Sequence, residues 1–195
     1  PSMAYALCRP PGHHASADMY GGYCYLNNAA IAAAALAAQG QRIAILDTDY
    51  HHGNGTQSIF YDRDDVYVAS VHADPDQEYP YFCGYADERG SSLGAGFNFN
   101  IPLARGTAEA QYLVALDRAL TALDGYQPDV VLVSHGFDTL AGDPEGRFNL
   151  SIDSFERIGR RLRSLGRPLV VVQEGGYSLA DLQLAFAAFL GGLLH

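Results

Sequence analysis

Metal-ligating residues crowd into one short stretch, Asp47-Thr48-Asp49-Tyr50-His51-His52-Gly53-Asn54-Gly55, directly after the apolar run Ile43-Ala44-Ile45-Leu46. Two carboxylates and two imidazoles at the end of a buried strand are costly unless a cation sits among them. A divalent metal is the simplest such cation. Asp49, His51 and the more distant Asp138 could supply three ligands and leave positions open for water and substrate, the pattern of a catalytic zinc site. Two aspartates and one histidine make a harder set than the usual zinc triads, so Fe2+, Mn2+ and Co2+ stand as alternatives to Zn2+. Taken singly, Asp49 and His51 could be a capped loop and Asp138 an ordinary turn.

Further groups could complete a hydrolytic site. His13 and His14 follow Pro10-Pro11-Gly12, a stiff lead-in. One of the two imidazoles could act as general base, since imidazole titrates close to neutral pH. Tyr177 follows Gly175-Gly176, and a phenol facing a metal can stabilise an oxyanion. It could equally be one interfacial tyrosine among the 13 in the chain. Tyr20, Tyr23, Tyr25, Tyr79, Tyr81 and Phe82 are candidates for an aromatic tunnel, or for plain core. Metal, water, base and oxyanion donor together spell hydrolysis of an amide or ester. There is no G-x-S-x-G elbow, HExxH pair or phosphate-binding glycine loop.

The elements that must position these groups alternate along the chain. Strands are expected over 4–8, 42–47, 66–71, 129–134 and 169–173. Helices are expected over 27–39 (Asn cap, Gly40 stop), 55–61, from Thr107 as cap to Leu123, from Ser151 as cap to Leu165, and over 179–194. Residues 73–96 read as one long loop, a length usually reserved for function. Alternation of this kind argues for an α/β fold, a mostly parallel sheet with helices on both faces, in a single domain over 1–195. Five apolar runs end in polar clusters: Arg9 to His14, Asp47 to His52, His72 to Asp74, Ser134 to Asp138, and Gln173 to Tyr177. Ligands of open α/β sheets bind beyond the carboxyl ends of the strands, so all five clusters should meet at one rim.

Bulk properties set outer limits. The formal charge is -10, which makes the chain a poor nucleic-acid binder. The three cysteines, Cys8, Cys24 and Cys83, form no disulfide framework and no CxxC, consistent with reduced thiols in a cytoplasmic protein. No apolar run reaches membrane-spanning length and no signal peptide is visible, so no membrane partner is expected. The sequence begins at Pro1 inside what already reads as folded chain, so an incomplete segment is expected.

Five motifs carry a family resemblance: Arg9-Pro10-Pro11-Gly12-His13-His14-Ala15, Gly22 to Asn28, Asp47 to Thr56, Ser134 to Asp138, and Glu174-Gly175-Gly176-Tyr177. In this order they resemble the zinc-dependent histone deacetylase superfamily. The segment His72 to Gly84 looks closest to the bacterial acetylpolyamine amidohydrolase branch. The resemblance implies the arginase/deacetylase three-layer fold, and Zn2+ on Asp49, His51 and Asp138. It implies His14 as general base oriented by Asn54, His13 as an electrostatic partner held by Asp47, and Tyr177 on the carbonyl oxygen. Tyr23 and Phe82 would flank the substrate alkyl chain beside Gly22 and Gly175. A structural K+ would use Asp47, Asp49, His51, Ser70 and Val71, and a second monovalent ion the backbone near Phe60, Arg63, Val66 and Phe97. The implied activity is removal of acetyl groups from acetylated polyamines, small cationic substrates, by attack of a zinc-bound water. Acetyl-lysine protein deacetylation and a catalytically silent metal-binding remnant are the rival readings. The family's N-terminal portion has no counterpart in this sequence. It carries the first strands and a rim loop that, in the acetylpolyamine branch, helps bind the distal amine and build a homodimer. One sheet edge and part of the tunnel wall are therefore expected to be missing.

Overall fold

The computed structural model describes residues 2–195. Six strands form one sheet in the order β1-β6-β5-β2-β3-β4: β1 (Met3–Ala6), β2 (Ile43–Asp47), β3 (Val66–Ala73), β4 (Asn98–Leu103), β5 (Val130–His135) and β6 (Leu169–Gln173). Every strand pairing among them is parallel. The helices are α1 (Asn28–Ala37), α2 (Asn54–Phe60), α3 (Glu109–Tyr126), α4 (Ile152–Ser164) and α5 (Leu182–Leu194), with a 3-10 turn at Ser92–Gly94. Among the described residues no helix is long and apolar enough to cross a membrane.

Strand alternation divides the core into two layers. Ile43 and Ile45 of β2 face α1 and α2, in a cluster with Ala30, Ala33, Phe60, Val66, Val68 and Leu132. Ala44 and Leu46 face the opposite layer, which contains Tyr112, Leu116, Phe155, Ile158 and Phe189 of α3, α4 and α5. Side chains one apart on a strand point to opposite faces. A strand apolar at every position is therefore what burial on both sides requires.

Two local expectations differ from what forms. The sequence pattern predicts no strand at 98–103, yet β4 pairs with β3 from Asn98↔Val68 to Leu103↔Ala73. Pro102 is tolerated there because β4 is the edge strand. Thr107 does not cap α3. Its hydroxyl donates back to the Ala104 carbonyl at 2.7 Å, and the amide of Ala108 is instead taken by the Gln111 side chain at 3.2 Å. The Asn cap of α1 does form: Asn27 Oδ1 accepts from the Ala30 amide at 2.9 Å. The same Asn27 donates to the Ala15 carbonyl and to Thr56 Oγ1, each at 3.0 Å. It thereby ties the start of α1 to the histidine loop and to α2.

Candidate metal and hydrolytic site

β2 ends at Asp47, and the register sets Asp47 beside Ser134 of β5 on one side and Ser70 of β3 on the other. The chain leaving the sheet there carries Asp49 and His51, and the chain leaving β5 carries Asp138. Ligand atoms of Asp49, His51 and Asp138 all lie within 4.8 Å of one another. His51 Nδ1 stands 3.3 Å from Asp49 Oδ1 and 3.2 Å from Asp138 Oδ2. Backbone amides take up further carboxylate lone pairs. Asp49 accepts from the amides of His51 and Gly175 at 2.9 and 2.8 Å, and Asp138 from the amide of Tyr50 at 3.0 Å.

The electrostatics bear on what this trio could hold. Burial and the neighbouring Asp49 charge push the Asp138 carboxyl up to about 7. Burial opposes the charged form of His51, but the two carboxylates overcome it and lift the imidazole to about 10. Two buried carboxylates converging on one imidazole nitrogen demand a positive charge between them. An imidazolium proton meets that demand, and a divalent ion on the same three donors meets it more fully. The donor set, its separation and its burial therefore fit a divalent metal. Gly136 and Gly175 make room for the trio. A Cβ on Gly136 would lie 2.1 Å from Asp49 Oδ2, and one on Gly175 would lie 2.4 Å from Asp138 Oδ2.

His13 and His14 come in from the loop after β1, and Glu174 fixes that loop. Its Oε2 accepts from the amides of Gly12 and His13 at 2.7 and 3.2 Å, and its Oε1 from the Ser134 hydroxyl at 3.0 Å. Burial pushes the Glu174 carboxyl up to about 7. In the sequence Glu174 stands out only as part of a motif, although a carboxylate directly before Gly175-Gly176 at a strand end is a usable signal.

The two imidazoles are close, 4.0 Å between ring centroids, but their environments push them apart. His13 Nδ1 donates to Asp47 Oδ2 at 2.9 Å. Burial works against its charge, yet Asp47, Asp49 and Glu174 together raise it well above the usual histidine range. His14 Nδ1 sits 2.8 Å from Asn54 Oδ1. Burial and the charge on His13 hold it well below that range. The surroundings favour the cation at His13 and the neutral imidazole at His14.

A cavity of about 480 Å3 opens over these groups, lined by His14, Gly22, Tyr23, His51, Tyr79, Glu145 and Tyr177. Burial, with the charges of Asp49 and Asp138, pushes the Tyr177 phenol up, so it stays a protonated donor. Gly22 lies flush against His14: a Cβ there would be 2.2 Å from His14 Cδ2. Tyr23 and Tyr177 approach with ring centroids 5.8 Å apart.

Phe82 does not join this lining. Tyr81 and Phe82 both adopt φ +58, and this turn swings Phe82 outward until it is 87% exposed. Tyr79 takes the wall position instead, edge-on to His14 at 4.8 Å. Glu145 escapes a reading of the sequence, where it looks like part of an ordinary Gly-rich turn. Its one signal is an acidic side chain in the loop that leaves Asp138. Of the residues expected for monovalent ions, Ser70 has its hydroxyl 2.7 Å from His72 Nδ1. The Phe60 and Phe97 carbonyls each already accept an amide, from Arg63 at 3.1 Å and from Val68 at 2.9 Å.

Known proteins resemble this chain in sequence and fold. The family described as histone deacetylase domain matches residues 2–193. Acetylpolyamine amidohydrolase 1 of Pseudomonas aeruginosa is 55% identical over 177 residues, covering 90% of this chain and 51% of that protein. The crystal structure of acetylpolyamine aminohydrolase from Burkholderia pseudomallei superposes with a TM-score of 0.96 at 49% identity, over 98% of this chain and 56% of that one. The crystal structure of HDA15 HD domain superposes with a TM-score of 0.93 at 36% identity, over 100% of this chain and 58% of that one. The chain thus spans about half the length of the curated relatives it matches.

Proposed function

The chain belongs to the histone deacetylase family, and from that premise we propose that it carries the catalytic site of a metal-dependent amidohydrolase that removes acetyl groups from small cationic amines, acetylated polyamines foremost. One observation carries the reading. A single cavity is lined by a neutral base (His14), a metal-ligand candidate (His51), a phenol donor (Tyr177) and a carboxylate (Glu145). The first three are the parts of an amide hydrolase. The fourth gives a substrate ammonium something to pair with. The matched relatives named acetylpolyamine amidohydrolases support the same substrate class. A cationic substrate also suits a chain of net charge -10.

Asp49, His51 and Asp138 would hold the divalent ion, with zinc as the proposed metal. Bound there, such an ion supplies Lewis acidity to the amide carbonyl and to a neighbouring water. The chain's own residues do the rest. His14 takes the water proton at Nε2, because Asn54 Oδ1 keeps its other ring proton on Nδ1. The water oxygen bonds to the carbonyl carbon, and negative charge gathers on the former carbonyl oxygen. Tyr177 donates its phenol proton in a hydrogen bond to that oxygen. His13, paired with Asp47 and beside His14, would stabilise the same charge electrostatically. His14 then gives its new proton to the amide nitrogen. The C–N bond breaks, the remaining hydroxyl proton passes to the amine, and acetate and the ammonium depart. Tyr23 and Tyr79 supply the apolar walls for the alkyl chain.

A structural K+ on Asp47, Asp49, His51, Ser70 and Val71 belongs to the same proposal. It is supported by the register that lays Ser70 beside Asp47. The experiment that tests the hydrolase reading is Tyr177→Phe in the metal-loaded enzyme. Metal content should stay at wild-type level while turnover falls by about a hundredfold or more. Full turnover in that variant would remove Tyr177 from the mechanism.

A further inference from the structure

We propose that Asp143 is a positioning residue whose single buried carboxylate sets the oxyanion donor Tyr177 and the rim carboxylate Glu145 in one fixed relation across the cavity; its specificity half rests on the amine reading given above. Asp143 is 3% exposed and lies in the loop after β5. Its Oδ2 accepts from the backbone amides of Tyr177 and Ser178 at 2.7 and 2.9 Å. Its Oδ1 accepts from the backbone amide of Glu145 at 2.9 Å. Three amides from two chain segments therefore share one carboxylate, and charge-assisted bonds of this kind are the strong ones.

The segment carrying Tyr177 needs such a tether. Upstream, Gly175 donates to Asp49 Oδ2 at 2.8 Å, which fixes the chain two residues before the phenol. Between them lies Gly176 at φ +136, a conformation open to glycine that gives the chain little stiffness of its own. Asp143 is the downstream tether, and it binds the amide of Tyr177 itself. The other side is equally built. Gly146 lies so close that a Cβ there would be 1.7 Å from the Asp138 carbonyl oxygen. Asp143 donates its own amide to the Leu140 carbonyl at 3.1 Å. The loop is thus pressed against the metal-ligand segment, and Glu145 emerges from it directly into the cavity that Tyr177 also lines. Small misplacements of a transition-state donor are expensive in rate. A residue that fixes donor and specificity group together should therefore affect both turnover and discrimination.

The test uses full-length, metal-loaded enzyme and two substrates with the same four-carbon chain: N-acetylputrescine, which carries a terminal ammonium, and neutral N-acetylbutylamine. Asparagine at 143 has one accepting oxygen and cannot serve all three amides. For Asp143→Asn we expect kcat to fall about tenfold or more on both substrates, with the kcat/KM preference for the cationic one shrinking about threefold or more. Metal content should be unchanged. Loss of kcat with an intact preference, or the reverse, overturns the coupling. Glu145→Gln separates the two ideas: if it leaves the cation preference whole, the amine reading fails, and the kcat arm alone decides the role of Asp143. Should Asp143→Asn not fold, amide exchange in the wild-type enzyme decides. The amides of Tyr177, Ser178 and Glu145 should exchange slowly and at a common rate, since one carboxylate releases all three. Three unrelated rates would overturn the proposal.

Discussion

His14 Nδ1 lies 2.8 Å from Asn54 Oδ1, so the group orienting the neutral imidazole is a neutral amide. An amide fixes the tautomer without adding the charge that would raise the ring's basicity. Asn54 opens α2, and its placement depends on that helix.

Asn54→Asp should therefore raise the pKa of His14, which burial and the charge on His13 now hold well below the usual range. The protonated base is inactive, so the acid limb of kcat/KM should move to higher pH. A pH–rate profile on metal-loaded enzyme checks this. An acid limb that stays in place would show that His14 is not the titrating base.

Metal retention gives a second test. Asp138→Ala removes one of three donors and leaves Asp49 and His51 facing each other, so stoichiometric metal should be lost by elemental analysis. Gly136→Ala should do the same without touching a ligand, since its Cβ would stand 2.1 Å from Asp49 Oδ2. Gly125 lies in α3, and a Cβ added to it would meet nothing within 4 Å. Gly125→Ala should leave metal unchanged and raise stability by about 0.5–1 kcal/mol. Full metal occupancy in Gly136→Ala would mean that the site is less rigid than its packing implies.

Acid should unfold the protein through its buried neutral histidines. Burial lowers His72 to about 4 and His135 to about 3. Both folded values lie below the unfolded value of about 6.5. Their contribution is complete above that pH and is lost as pH falls toward 4 and 3. Below 6.5 each such histidine adds about 1.4 kcal/mol of stability loss per pH unit. Glu174 and Asp138, both raised to about 7, work the other way as pH falls from about 7 toward their ordinary values. His14 and His52, also held low by burial, add to the histidine side, so the buried histidines outnumber the two acids. His135 stacks on Phe189 with ring centroids 3.9 Å apart. Denaturant titrations of His135→Phe should show a shallower loss of stability between pH 6.5 and 4. A slope equal to wild type would remove His135 from the linkage.

Much of this site is legible in the chain without its fold, for a physical reason. Asp47, Asp49 and His51 end an unbroken apolar strand, where burial makes bare charge intolerable, so a cation follows from local sequence. The five polar clusters follow likewise, because a parallel sheet sends every carboxyl end to one rim. What escapes depends on tertiary approach. Asn98 and Asn100 make β4 look unlike a strand. They are buried because their amides donate to Gln57 Oε1 at 2.9 and 2.8 Å, a partner supplied from α2. Asp143 and Glu145 read as an ordinary turn until the Tyr177 segment arrives beside them. The motif around Phe82 points it into the tunnel, but the left-handed turn at Tyr81 and Phe82 is invisible in composition or spacing.

The central claim is that this cavity hydrolyses the amide of a small acetylated amine and that Glu145 reads the amine's charge. The most direct measurement is kcat/KM of the full-length, metal-loaded enzyme on N-acetylputrescine, N-acetylbutylamine and an acetyl-lysine peptide, for wild type and Glu145→Gln side by side. The account predicts that N-acetylputrescine is the best of the three for wild type, and that Glu145→Gln erases most of its advantage over N-acetylbutylamine. Equal or better turnover of the acetyl-lysine peptide, with Glu145→Gln behaving as wild type, would contradict it.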